Sequence, residues 1–292
     1  MAKPTFDLYA GVSGLELTEA SFDLGSGIVL SRTYAHLMAP FVMAFKRPTE
    51  YDQPHPGPWK SLGGGFAFDI EAEIKVPAAL DPSQGTQSDV IRMIGFLLRL
   101  GVHPALRLPA LANHPFSTMA YRSEHESWLR PNEFQPRHFP LDSASEAIGA
   151  DEAAWVAERW KVGLKLSKES AEFALAVEAI DGGQFVQKSA LALVSLWAAL
   201  EALFSPSTSE LKFRVSALIA AYLEPPGSSR HALQKAVAKL YDKRSAAAHG
   251  KPKHETDDLL ETFNLLAQVL RKILDERAVP SKEDLERTLF GV

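Results

Sequence analysis

The chain has 292 residues, a formal net charge of −5 and no cysteine, with 46% hydrophobic and 23% charged residues. That balance belongs to a globular chain able to bury a full core, of a length that holds one large or two ordinary domains. The absent cysteines exclude a disulfide framework, thiolate zinc sites and a cysteine nucleophile, and they fit a reducing compartment.

In chain order, residues 1–10 mix Lys3, Pro4 and Asp7 with no apolar run, so no signal peptide is read there. Leu15 and Leu17, then residues 28–30, suggest two strands joined by a loop that ends in a Gly25-Ser26-Gly27 turn. Gly63-Gly64-Gly65 is not followed by Gly-Lys-Ser/Thr, which removes a P-loop and leaves a loop entering the next strand. That strand is clear. Phe66, Phe68, Ile70, Ala72, Ile74 and Val76 alternate with Ala67, Asp69, Glu71, Glu73 and Lys75, the period of a strand with one buried face. Ser88 is a plausible N-cap for a helix through Ile91, Ile94, Phe96, Leu97 and Leu100, with Gly101 as its stop. Another short strand is expected at 105–108. His103, His114 and His125 lie in loop-like sequence without a ligand pattern, and Ser13 is not in a Gly-x-Ser-x-Gly elbow.

Residues 130–149 are rich in Pro, Ser and charge, which places a domain boundary there. The expectation is an α+β protein, with an N-terminal mostly β domain over 1–135 and a C-terminal all-α helical bundle over 146–292. Helices are predicted at 151–166, 168–180, 184–204, 210–223, 230–248 and 255–276. They are broken at Asp181-Gly182-Gly183, Ser205-Pro206, Pro225-Pro226-Gly227 and Gly250-Lys251-Pro252. The longest apolar stretch, 190–204, is interrupted by Ser195 and Glu201 and is shorter than the roughly 20 residues that cross a bilayer. A cytoplasmic location with no membrane partner is expected.

Charge is unevenly spread. From Arg230 to Lys253 the basic residues are Arg230, Lys235, Lys239, Lys243, Arg244, Lys251 and Lys253, with Asp242 the only acid among them. Such a segment is either a solvated helix face or a phosphate-binding surface. Lys235, Lys239 and Lys243 recur every four residues and repel one another. An RNA backbone would offset that, with Lys251 beside it, and so would Glu255, Asp257 or Asp258 from another helix.

The informative string is Tyr241-Asp242-Lys243-Arg244-Ser245-Ala246-Ala247-Ala248-His249-Gly250. Gly250 is a natural residue just past a helix end, so His249 sits at a helix C-terminus. Arg244 lies about 140° round an ideal helix from His249, so a shared cleft needs a second helix or subunit to close over them. Upstream, Glu201 edges an apolar stripe of Leu193, Leu196, Trp197, Leu200, Leu203 and Phe204. A carboxylate there needs a partner, Arg244 first, then Lys212 or Arg214, unless it reaches solvent.

These features resemble the HEPN superfamily. The Arg244–His249 spacing resembles its Arg-x(4–6)-His motif, and Tyr241 to Gly250 resembles the Apea-like branch, which reads Tyr-Asp-x-Arg-Ser-x-x-x-His-Gly. The Leu200-Glu201 pair on its apolar helix is similar to the same branch. The resemblance covers roughly 151–276. It implies a C-terminal HEPN helical bundle acting as a metal-independent endoribonuclease, without cofactor, in a homodimer that brings two motifs to one cleft. In that role His249 serves as general base toward the 2′-hydroxyl or as general acid toward the leaving 5′-oxygen, and Arg244 stabilises the phosphorane. Glu201, Ser245, Asp242 and Tyr241 support them. The resemblance also implies a setting in bacterial phage defence or a toxin–antitoxin pair. The alternative is a non-catalytic interaction or sensor module that binds a partner protein, nucleic acid or nucleotide. The enzyme needs Arg244 and His249 accessible in a basic cleft, whereas the module has them buried or satisfied internally.

Overall fold

The computed structural model describes residues 6–141, 146–204, 211–251 and 253–291. The Ser205-Pro206 break and Pro252 lie outside the described residues. The chain begins with β1 (Leu8–Ser13), β2 (Leu15–Leu17), β3 (Ser21–Gly25), β4 (Ile28–Ala44) and β5 (Trp59–Val76). Then come α1 (Gln87–Gly101), β6 (Arg107–Ala112), the short α2 (Phe116–Met119), β7 (Leu129–Pro131) and β8 (Glu146–Ile148). The remainder is helical: α3 (Ala150–Glu169), α4 (Ala171–Gly183), α5 (Ser189–Phe204), α6 (Leu211–Leu223), α7 (Ser228–Ala248), α8 (Thr256–Glu276) and α9 (Lys282–Phe290). The mixture is that of an α+β protein, and no described helix is long and apolar enough to cross a membrane.

The chain divides into two compact units, and not at one cut. The first comprises Met1–Ala79, Leu106–Phe134 and Ala144–Gly149; the second comprises Leu80–Ala105, Gln135–Ser143 and Ala150–Val292. Helix α1, expected in the N-terminal domain, therefore belongs with the helices. Its apolar residues Val90, Ile94, Phe96, Leu97 and Leu98 are buried, and it packs on α3, where Gly163 leaves room for Met93 and Trp155 covers Gly101. Its N-cap is Thr86 rather than Ser88, because Thr86 and Asp89 exchange side-chain-to-backbone hydrogen bonds in a capping box.

In the first unit a six-stranded sheet runs β3-β4-β5-β1-β6-β7, and β2 pairs with β8 in parallel beside it. β1 is central and buried, pairing antiparallel with β5 and β6. The alternation read at 66–76 holds at its inner end, where Ile70, Ala72, Ile74 and Val76 are buried. Glu73 departs from it. It is 6% exposed, and its carboxylate accepts the Phe116 N–H at 2.8 Å. Burial pushes the Glu73 carboxyl above the ordinary glutamate range, and the Phe116 bond only partly opposes this.

The main departure from expectation is length. β4 and β5 form one long hairpin, paired from Val29↔Lys75 out to Ala44↔Trp59. The glycine run is not a loop before the strand but part of β5, at a register irregularity beside Pro40. Gly65 has φ +133°, and a Cβ there would lie 2.5 Å from the Ala39 carbonyl oxygen, so only glycine fits.

The second unit is built round α5. Leu193, Leu196, Trp197, Leu200, Leu203 and Phe204 are all buried, and α4, α7 and α8 pack on this helix. α8 contributes Leu259, Leu266, Val269, Leu270 and Ile273, a stripe at helical spacing. Arg99, 2% exposed at its side chain, is neutralised by Asp181 at 3.1 Å.

Candidate functional site

The motif lies on the last turns of α7 and the facing side of α5. α7 is anchored by Val237, Leu240 and Tyr241, which are buried. Its C-terminus is closed as the glycine predicts. His249 is the C-cap and Gly250 takes φ +71°. The Lys251 N–H reaches the Ala246 carbonyl at 2.9 Å and the Gly250 N–H reaches that of Ala247 at 3.1 Å, the paired bonds of a Schellman end. The closure leaves the His249 side chain exposed at the helix end.

Arg244 points toward α5. Its Nη2 donates to Glu201 Oε2 at 3.0 Å, the partner expected ahead of Lys212 and Arg214. The pair is mostly shielded, with side-chain exposures of 21% for Arg244 and 18% for Glu201. An aromatic floor supports it. The Tyr241 ring meets Trp197 edge to face at 5.2 Å, and the Arg244 guanidinium carbon lies 5.6 Å from the Tyr241 ring centre. Burial, then the neighbouring Glu201 charge, push the Tyr241 phenol above its ordinary value. Tyr241 is thus a neutral, packed brace. The sequence marks Trp197 only as a core residue; its edge-to-face contact with Tyr241 makes it part of the site's support.

The remaining candidates divide. Asp242 faces away and binds Lys212 of α6 at 2.6 Å. Ser245 is partly buried, and its carbonyl accepts the His249 N–H at 3.2 Å. Lys243 is taken up by the start of α8. It pairs with Asp258 at 3.0 Å and donates to the Lys253 carbonyl at 3.1 Å. Burial raises the Asp258 carboxyl, but the Glu255 N–H and the Lys243 ammonium outweigh it and hold Asp258 below the usual range. So the acidic partner weighed for the lysine stripe is real for Lys243. Lys235, Lys239 and Lys251 are exposed, with no ion pair to any described residue. On an ideal helix Lys235 lies about 40° from His249 and Lys239 about 80°. Lys235, Lys239 and the imidazole therefore share one flank of α7, while Arg244 turns inward to Glu201.

Comparison with known proteins finds no matching family profile, no similar curated protein and no matching solved structure.

Proposed function

We propose that the helical unit is a metal-independent endoribonuclease of the HEPN type, acting as a homodimer on RNA. The observation that carries this reading is the split presentation of the motif. His249 is open to solvent at a glycine-closed helix end, and Arg244 is held by Glu201 over an aromatic floor. The chemistry suits these groups. An imidazole exchanges protons near neutral pH. It removes the 2′-hydroxyl proton as O2′ attacks phosphorus, or returns a proton to the departing 5′-oxygen. The guanidinium stabilises the phosphorane oxygens with forked donors. The products are a 2′,3′-cyclic phosphate and a 5′-hydroxyl, and no cation enters the balance. Lys235, Lys239 and Lys251 supply the phosphate contacts that place the strand along α7.

Because Arg244 and His249 turn to different sides of α7, the composite cleft draws one of its two motifs from a second copy. A bacterial defence or toxin–antitoxin setting belongs to this same reading. One observation favours the alternative of a non-catalytic module, namely that Arg244 already has an internal partner in Glu201. Incubating purified wild type and His249→Ala with mixed RNA in EDTA separates the two. The enzyme reading expects fragments from wild type and intact RNA from the variant. Intact RNA in both, or equal cutting by both, leaves the module.

A further inference from the structure

We infer, resting on the ribonuclease reading, that the groove between α6 and α7 is a base-binding subsite in which Phe213 stacks on one unpaired base of the RNA strand. The groove holds about 550 Å³ and is lined by Leu211, Lys212, Phe213, Ser216, Gln234 and Ala238. Phe213 stays 63% exposed, although residues 215–222 of the same helix are all buried. An open aromatic ring beside the aliphatic Leu211 and Ala238 offers a stacking face that suits any base.

The polar part of the groove is fixed in place. The Gln234 amide nitrogen donates to Ser216 Oγ at 3.0 Å, and that hydroxyl donates in turn to the Phe213 carbonyl at 3.1 Å. These bonds tie α7 to α6 at this point. The Gln234 carbonyl oxygen and its second amide hydrogen have no partner among the described residues, so an acceptor and a donor are left for the edge of a base.

Position and charge select a nucleotide as the occupant. On an ideal helix Ala238 lies about 20° and Gln234 about 60° from His249, so the groove opens on the flank of α7 that carries the imidazole. Ala238 precedes His249 by eleven residues, about 16 Å along the helix axis. Lys235 and Lys239 border the groove on α7, exposed and with no ion pair to any described residue. Asp242, the only acid of α7, comes between the groove and His249 along the helix and is neutralised by Lys212 at 2.6 Å. A strand whose phosphates follow the two lysines therefore lays one base in the groove and brings a later phosphate to His249. An apolar protein surface would have to desolvate those unpaired lysines to reach Phe213, which a polyanion does not.

The test reads binding, apart from cleavage. Full-length protein carrying His249→Ala is titrated with a labelled unpaired RNA strand and with the same strand in abasic form, which keeps the phosphates and lacks the bases. The base-bearing strand is expected to bind about 10-fold more tightly. Adding Phe213→Ala should abolish that advantage while the abasic strand binds as before with the same salt slope, which shows that the chain is still folded. Phe213→Trp should keep the advantage. The inference is overturned if the base-bearing strand binds no better than the abasic one, or if Phe213→Ala leaves its advantage in place. It is equally overturned if Phe213→Ala lowers the mass in sedimentation, since the groove is then a contact between copies. Where any of these results accompanies RNA cut by wild type, the ribonuclease reading stands without this subsite; where wild type neither binds nor cuts RNA, both fall.

Discussion

At the residue scale Arg244 and Glu201 form the ion pair that ties α7 to α5. Each is mostly shielded, so removing one charge strands the other. Glu201→Gln should destabilise the protein by about 1–3 kcal/mol in chemical denaturation, and a double-mutant cycle with Arg244→Met should recover most of that as coupling. A coupling near zero would mean the pair is incidental. This pairing was legible because a carboxylate on an apolar helix has few places to go. The fate of Lys243 was not, since it depends on how the start of α8 folds back on α7. Glu73 gives a second test with the opposite sign to the usual acid. Its carboxyl is raised in the fold, so its neutral form is favoured there, and that stabilisation is complete below the ordinary glutamate range. It is lost as pH rises through the folded value. Wild-type stability should therefore fall over that window, and Glu73→Gln should flatten the fall; equal slopes would contradict the assignment.

At the element scale, α7 presents the motif and the β4–β5 hairpin is the longest strand pair of the sheet. Helices α1 and α3 to α8 were readable from apolar pattern, breaks and glycine stops; α9 was not, because its nine residues bury only Leu285 and so write no apolar stripe. α5 is read correctly as core and α7 ends at the residues that Gly250 demands. The strands were harder. β1 has no alternation, since both its faces are buried, whereas β3 does alternate, with Phe22 and Leu24 buried between Ser21, Asp23 and Gly25, in a run of only five residues beside the Gly25-Ser26-Gly27 turn. The outer hairpin hides its period because both faces are exposed, so the glycine run at 63–65 looks like a loop. In the structure Gly65 permits a strand irregularity instead. Gly65→Ala should cost about 1–3 kcal/mol, from its positive φ and the approach to the Ala39 carbonyl. A change below about 0.5 kcal/mol in thermal or denaturant unfolding would show the irregularity to be soft.

At the scale of the whole molecule, an acidic chain concentrates exposed cations along one helix flank that ends in an imidazole. Replacing Lys235 and Lys239 with Gln should weaken RNA binding across sequences and reduce the salt slope by about 2. An unchanged slope would place the strand elsewhere. The boundary between units was readable only in part, because α1 joins the helical unit from within the strand-rich half. In the proposed reaction an imidazole and a guanidinium cleave RNA through its own 2′-hydroxyl. The most direct measurement is the end-group analysis of RNA fragments made by purified protein in EDTA. The proposed reaction predicts 2′,3′-cyclic phosphates and 5′-hydroxyls, absent from the His249→Ala reaction. Fragments bearing 5′-phosphates, or cyclic ends still produced by that variant, would contradict it.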